Sequence, residues 1–160
     1  MIAPLNPKWV MAVLLKSNTK ERLCYGAYFE QIEIVAMNTQ EPYSIHLDVR
    51  YAPLEAFDIQ ELIDACTHPW YNQTLCRVND CVLRLGILQG EFHWHKHDRE
   101  DELFYVVEGR LLIDLEGHTV ELSPRQGFLV PKGVRHRTRA LERTVILMIE
   151  GAGVSPTGNK

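Results

Sequence analysis

A histidine-rich stretch near the middle of the chain holds residue types that bind metal ions. It reads GEFHWHKHDREDELFYVVEG, from Gly90 to Gly109, with three histidines at alternating positions. In a regular strand, residues two apart project to the same face, so His93, His95 and His97 would share one side. Two such imidazoles can bind a transition metal, and a carboxylate from the next strand and a distant histidine could add two ligands. A His-x-His pair by itself is more typical of a solvated strand edge.

Short strands must position these residues, because from Thr74 onward short apolar segments alternate with turn signals. Asn79-Asp80 and Glu116-Gly117 are typical of hairpin turns, and prolines and glycines mark further corners. Many short strands at regular spacing predict an antiparallel sandwich or barrel. The predicted strands are 74–78, 81–88, 92–97, 103–107, 111–115, 119–122, 128–130, 136–140 and 144–149.

One short amphipathic helix is expected before these strands. Asp58 is a typical N-cap residue, with Glu61 as its reciprocal partner three residues later. A proline follows His68, and the residue before a proline disfavours helix, so the helix ends there. The apolar face is formed by side chains at helical spacing: Ile59, Leu62, Ile63 and Cys66.

The remaining segments divide the chain into three parts. Residues 1–42 are an extension of unassigned role with no clear period, apart from a weak strand-like alternation at 30–37. Residues 43–150 form the β domain. Residues 151–160, GAGVSPTGNK, are expected to be a mobile tail.

Composition excludes several classes of protein. The chain has 160 residues, 46% hydrophobic and 24% charged, which fits one globular domain. A net charge of −4 gives no reason to expect nucleic acid as a partner. No apolar run is long enough to span a membrane, and the run at 9–15 lacks a signal-peptide cleavage site. The cysteines form no CxxC pair, and Cys76 and Cys81, which flank the first hairpin, are expected to be reduced. These features predict a cytoplasmic protein.

The spacing of histidine, glutamate, glycine and proline residues over a longer stretch resembles the two sequence motifs of the cupin superfamily. His95-x-His97 is followed by Glu102 and then by Gly109, and later comes PKGVRH, which ends at His136. The resemblance implies an antiparallel jelly-roll β-barrel, here with a short N-terminal helix. It also implies that His95, His97, Glu102 and His136 are the ligands of a divalent transition metal, which could be Fe, Mn, Ni, Zn or Cu. It spans Val82 to Glu150 and the flanking strands.

The motif also decides which acidic and histidine residues do not fit. A register that starts at His93 would put Val107 where the motif has a glycine. His93 is therefore left either as a residue that supports a ligand or contacts the substrate, or as a solvent-exposed one. The acidic residues assigned to loops or to the surface are Glu91, Asp98, Glu100, Asp101 and Glu108.

Three positions depart from the motif, and neighbouring residues have secondary roles. Gly90 is one residue too close to His95, Arg125 replaces a glycine and Ala140 replaces an asparagine, which brings local turn geometry into question. The arginines that alternate with His136 should face outward as a solvated basic edge. Aromatic side chains could line an apolar pocket or simply build the core: Phe92, Trp94, Phe104, Tyr105 and Phe128.

Short single-domain cupins labelled mannose-6-phosphate isomerase-like share segments such as EDELFYVVEG and VPKGVRH. This likeness begins near Ser44, so Met37 is a plausible alternative start. It implies a metal-dependent enzyme acting on a small polar molecule, as an isomerase, oxygenase or lyase. The alternative is a non-catalytic module that binds a metal or a small ligand. Cupins of this size pair as homodimers through sheet edges.

Overall fold

The computed structural model describes residues 42–159, and the extension at 1–41, including the strand expected at 30–37, lies outside the described residues. Eight strands and one helix follow in the order β1, α1, β2 to β8. No helix among the described residues is long and apolar enough to cross a membrane. The elements are β1 Ser44–His46, α1 Ile59–Ala65, β2 Trp70–Val78, β3 Cys81–Glu91, β4 Glu102–Glu108, β5 Leu111–Leu115, β6 His118–Leu122, β7 Gly127–Val130 and β8 His136–Gly151.

The long strand β8 organises the sheet. One edge of β8 pairs with β3, and its other edge pairs first with β5 and then with β4. The main path runs β1-β2-β3-β8-β4-β7, and β5 joins β6 to β8. The sequence predicted two strands, 136–140 and 144–149, where the structure has one. The intervening residues, Leu141 to Arg143, include no glycine or proline, so the strand continues while its partner changes.

The sequence predicted a closed barrel, but the observed strand pairings do not close the sheet. The hydrogen-bonded path begins at β1 and ends at β7, and these two strands do not pair. The all-antiparallel pattern also fails at one place, because β1 runs parallel to β2. A sheet closes only when its two end strands meet. Here β7 has four residues and β1 three, so neither edge offers a long ladder.

Two apolar clusters lie on opposite faces of β2, β3 and β8. The inner cluster includes Trp70, Leu88 and Ile146, and the outer cluster includes Leu85 and Val145, with Ile63 of the helix. Successive strand residues therefore serve different clusters, as the period of two requires. The prediction of a mostly β domain is confirmed at this level.

The structure has one short helix among its described residues, Ile59–Ala65, where the Asp58 cap predicted one. It follows β1, so the N-terminal helix that the sequence analysis expected is not shown. Asp58 caps the observed helix and accepts a hydrogen bond from the backbone N–H of Gln60 at 2.8 Å. At its other end, Arg143 donates to the carbonyl of Ile63, so β8 ties down the last turn.

The first hairpin also matches its prediction. Val78 pairs with Cys81, and Cys76 pairs with Leu83, which leaves Asn79 and Asp80 as the turn. Asn79 has φ 54°, the left-handed conformation that such turns require. Cys66, Cys76 and Cys81 are free thiols. Cys24 lies outside the described residues.

Arg125, which replaces the motif glycine, adopts φ 72°. A side chain in this left-handed region is strained where glycine is not. The departure from the motif therefore changes a residue but keeps the backbone conformation that the turn needs.

Candidate metal centre

The structure brings together the four residues that the resemblance implied as ligands. His95 and His97 lie in the connection from β3 to β4, Glu102 begins β4, and His136 begins β8. All four are buried, and one potential ligand atom from each lies within 4.8 Å of the others. The described residues thus form a buried His-His-Glu-His group that could hold a metal ion.

Backbone hydrogen bonds fix the two histidine segments against each other. His95 and His136 form an isolated bridge in which each N–H donates to the other carbonyl at 2.9 Å. Gly133 donates to the carbonyl of His97 at 2.7 Å, which holds that loop. The predicted strand at 92–97 is wrong, because only His95 and Lys96 make bridges there. Gly90, with φ 110°, follows a register shift in the β3–β8 pairing, which resumes at Gly90 and Ala140.

Two histidine rings are oriented by carbonyl groups. Nδ1 of His95 lies 3.0 Å from the carbonyl of His93, and Nδ1 of His136 lies 3.0 Å from the carbonyl of Val134. A carbonyl can only accept, so each Nδ1 carries the proton. In the neutral rings Nε2 then presents a lone pair, as in metal-binding histidines whose other ring nitrogen donates to a carbonyl.

One oxygen of the Glu102 carboxylate lies against the Nε2 atoms of two histidine rings. This oxygen, Oε2, lies 3.2 Å from Nε2 of His136 and 3.3 Å from Nε2 of His97. A carboxylate and a neutral imidazole lone pair repel each other unless a proton or a metal ion lies between them. Neither ring nitrogen of His97 has a hydrogen-bond partner of good geometry among the described residues. A metal ion at the centre would give Nε2 of His97 a partner, and three imidazoles with one carboxylate suit a divalent transition metal.

The pKa shifts describe how the four groups share charge. Burial and the neighbouring His136 lower the pKa of His95 to about 4, so this ring is neutral near pH 7. Burial lowers the pKa of His97, but the nearby Glu102 carboxylate outweighs it, and the net shift is upward. Although burial raises it, the neighbouring His136 and His97 hold the pKa of Glu102 below its usual range. The carboxylate is therefore ionised and ready to bind a cation.

A buried ion pair lies beside this group. Arg84 of β3 pairs with Glu150 of β8, and their side chains are only 3% and 2% exposed. Glu150 is also the register partner of Glu102 across β4 and β8. Burial and the Glu102 charge raise the pKa of Glu150 to about 7, although Arg84 opposes the shift. The Arg84 guanidinium thus offsets part of the negative charge that Glu150 and Glu102 bring to the candidate metal centre.

Both ends of β8 therefore lie next to Glu102. Its first residue, His136, touches the Glu102 carboxylate, and Glu150, near its last residue, pairs with the Glu102 backbone. A straight strand of 16 residues would span roughly 50 Å. Strand β8 must therefore curve strongly, which brings its two ends together at the candidate metal centre.

A small cavity reaches the centre from the interior. It has a volume of about 30 Å³. Eight of the twelve described lining residues are apolar, and no lysine or arginine is among them. The lining is Ile45, Trp70, Asn72, Leu88, Phe92, His95, Glu102, Phe104, Thr138, Ile146, Met148 and Pro156.

The other predicted pocket residues divide between the wall and the surface. Phe92 and Phe104 line the cavity, and Phe128 packs against the inner cluster. Trp94 and Tyr105 are exposed.

His93 lies outside the four-residue group. Its ring is exposed, and Nε2 donates to the carbonyl of Thr157 at 2.8 Å. The three histidines do not share one face, because the segment is not a regular strand. The contribution of His93 to the centre comes from its backbone carbonyl, which orients His95.

The charged residues assigned to the surface behave largely as expected. Glu91, Asp98, Asp101 and Glu108 are exposed, and Glu100 is half-buried. Arg137 and Arg139 face away from the centre, but both bind the carboxylate of one residue that the sequence analysis missed, Asp114.

The C-terminal residues form a strap, residues 152–159, and the prediction of a mobile tail is wrong. Val154 is buried, Asn159 donates to the carbonyl of Lys96 at 2.8 Å, and Pro156 lines the cavity. Gly158, with φ 74°, packs directly on His95. The strap therefore covers one side of the candidate metal centre.

Gly158→Ala is expected to detach the strap. A methyl group at Gly158 would lie 2.5 Å from Cβ of His95, and the positive φ adds backbone strain. We expect hydrogen exchange at the amides of Gly158 and Asn159 to accelerate at least about tenfold. Gly153→Ala is the matched control, because a methyl group there meets nothing within 4 Å. Equal exchange rates in the two variants would contradict the close packing.

Sequence reasoning missed Arg84, Glu150 and Asn72. Arg84 interrupts the apolar run CVLRLGIL, and Glu150 ends the run VILMIE. A charge inside an apolar strand is a signal for a buried pair, since a lone buried charge is very costly. Asn72 stands in a strand that mixes polar and apolar residues, so nothing in the sequence marked it as buried or functional.

Comparisons with known proteins agree with this geometry. The family model of the Cupin domain matches residues 86–150. The protein YdbB of Bacillus subtilis strain 168 is 46% identical over 80 residues, which are 49% of this chain and 71% of YdbB. Polyketide synthase CurC of Streptomyces cyaneus is 49% identical over 45 residues, which are 28% of this chain and 29% of CurC.

A solved structure supports the same assignment. The crystal structure of a cupin-2 domain containing protein from Shewanella frigidimarina has a TM-score of 0.57 and 30% identity, and the match covers 60% of this chain and 94% of that chain. The matches to this structure and to YdbB each span more than two thirds of the relative. The paired motifs, the fold and these relatives together show that the chain belongs to the cupin family.

Proposed function

We propose that this protein binds one divalent transition metal ion through His95, His97, Glu102 and His136 and acts on a small molecule in the adjoining cavity. The observation that carries the proposal is the contact of one carboxylate oxygen with two imidazole nitrogens in a buried site. Without a cation, that arrangement needs a trapped proton. With a divalent ion, every buried ligand atom has a partner.

The residues of the chain then have distinct tasks. The carbonyls of His93 and Val134 hold two rings with Nε2 toward the centre, and Glu102 supplies the negative charge. Bound by these three imidazoles and one carboxylate, a divalent ion would supply Lewis-acid chemistry or a direct binding site for a substrate atom.

The cavity narrows the class of substrate. The described lining residues include no lysine or arginine, so the cavity offers a phosphate group no counter-charge. This speaks against a sugar phosphate, the substrate that an isomerase-like label suggests. It favours a small molecule without a phosphate group that reaches the metal through oxygen or nitrogen atoms.

The titratable residues of the cavity lining favour a second candidate function. Among the described residues that line the cavity, His95 and Glu102 are the only titratable side chains, and both are proposed ligands. A protein-derived general acid or base is thus missing from the wall. A non-catalytic module that binds a metal and a small ligand would need none. Homodimer assembly and a cytoplasmic location stay predictions from the sequence.

Elemental analysis of the purified chain tests the proposal. The metal-free protein is supplemented separately with Fe, Mn, Ni and Zn and then freed of excess metal. We expect about one ion per chain for at least one metal. Absence of stoichiometric metal in all four samples would reject both candidate functions in their metal-dependent form. With metal present, oxygen uptake with small diketones and phenols distinguishes an oxygenase from an isomerase or a binding module.

A further inference from the structure

Asn72 brings an amide group to the lining of the cavity. It lies on β2 two residues after Trp70, and both line the cavity, as residues on one face of a strand should. Its backbone pairs with Gly86 of β3, in the middle of the sheet. The central position in the ladder fixes where the side chain can reach.

The Asn72 side chain is buried without satisfying its carbonyl oxygen. The residue is 9% exposed, and Oδ1 has no hydrogen-bond partner among the described residues. Such a group disfavours folding, because it gives up water and gains no bond. Most buried polar groups in native proteins are paired, so an exception beside a candidate site needs an explanation.

The surroundings of Asn72 indicate what the missing partner is. The cavity joins this amide to His95 and Glu102 of the candidate metal centre, and most of the lining between them is aromatic or aliphatic. A lining that combines the Asn72 amide with two proposed metal ligands fits a molecule that is held both by the metal ion and by a hydrogen bond. With no lysine or arginine among its described lining residues, the wall offers nothing to neutralise an extended anion.

We propose that Asn72 is a specificity-determining residue, whose Oδ1 accepts a hydrogen bond from an N–H or O–H group of a small molecule bound to the metal. The inference rests on the proposed function, because the other end of the molecule is held by the metal ion. It assigns the ligand to a class: a compact molecule of few heavy atoms, with metal-binding oxygens and one hydrogen-bond donor.

Two matched hydroxamates test this assignment on the cobalt-substituted full chain. Acetohydroxamic acid carries an N–H, whereas N-methylacetohydroxamic acid binds metals through the same two oxygens and lacks it. Binding is followed by the visible absorption of the cobalt ion. In the wild-type protein we expect tighter binding of acetohydroxamic acid. In Asn72→Leu we expect this preference to fall about tenfold, with little change for the N-methyl compound.

The thermal transition separates this role from a structural one. Asn72→Leu and Asn72→Val remove an unsatisfied buried amide, so we expect their Tm to equal or exceed that of the wild type. A lower Tm in both variants, or failure of both to fold, would assign Asn72 to structure and overturn the proposal. No binding of either probe to the cobalt protein, or an equal preference in wild type and variants, would also overturn it.

Cobalt content, measured on the same samples, keeps the two proposals apart. If the wild type takes up no stoichiometric cobalt or other divalent metal, the proposed function fails and this inference fails with it. If cobalt is bound at one ion per chain and the preference is unchanged in Asn72→Leu, only the role of Asn72 is rejected.

Discussion

Arg84→Met is expected to destabilise the fold by about 3–5 kcal/mol, because it leaves the Glu150 carboxylate buried without its partner. For a domain of this size the loss corresponds to a fall in Tm on the order of 10–15 °C. Methionine keeps much of the volume of the arginine stem, so lost packing contributes less than the unpaired charge. Thermal unfolding followed by circular dichroism measures the effect.

The penalty should also depend on pH, with a sign that follows from Glu150. Its pKa in the folded chain is about 7, above the value of an ordinary glutamate, so the folded state holds the proton more tightly. Stability is therefore lost as pH rises through that value. Without Arg84 the folded pKa rises further, so Arg84→Met should cost more at pH 8 than at pH 6. The reverse order would contradict this account.

A double variant tests whether the two residues act as a pair. Arg84→Met with Glu150→Gln removes both charges, and we expect it to recover most of the stability lost in Arg84→Met. Additive losses in the single and double variants would show that the ion pair does not couple these positions.

His136→Ala is expected to weaken metal binding by more than about 100-fold. Residues that only orient a ligand already change metal affinity by about 10–100-fold, and His136 is proposed to bind the ion directly. The substitution also removes the ring nitrogen that lies 3.2 Å from Oε2 of Glu102. Competition with a chelator of known affinity measures the change.

The exposed histidine of β6, His118, provides the control for this experiment. His118→Ala removes an imidazole from the same chain but not from the centre, so its metal affinity should equal that of the wild type. Circular dichroism must show that His136→Ala is folded. A folded His136→Ala chain that keeps wild-type affinity would remove His136 from the proposed ligand set.

The sequence predicted local features that depend on a few neighbouring residues. Asp58 and its apolar spacing placed the helix, and Asn79-Asp80 placed the first hairpin and its register. The four residues of the candidate centre came from the resemblance of their spacing to the cupin motifs, not from local geometry. They meet in the structure as the resemblance implied.

Other features depend on contacts between distant parts of the chain. The alternation of His93, His95 and His97 predicted a strand. The backbone conformation of this segment is instead set by its bridges to His136 and to the strap. The small and polar residues of 151–160 are typical of a mobile tail, yet Gly158 fits against His95 because it has no side chain. Composition could not reveal that fit, since it depends on the shape of another segment.

The curvature of β8 has a consequence for how the protein unfolds. An ion bound to both Glu102 and His136 would act as a reversible crosslink between residues 34 positions apart. A crosslink that closes a loop of this size lowers the entropy of the unfolded chain, by about 3–4 kcal/mol at room temperature on the chain-entropy account of disulfides. We therefore expect chelators to speed unfolding of the metal-bound protein, which stopped-flow fluorescence can measure. The ion would then crosslink β4 to the start of β8 in a sheet whose strand pairings do not close.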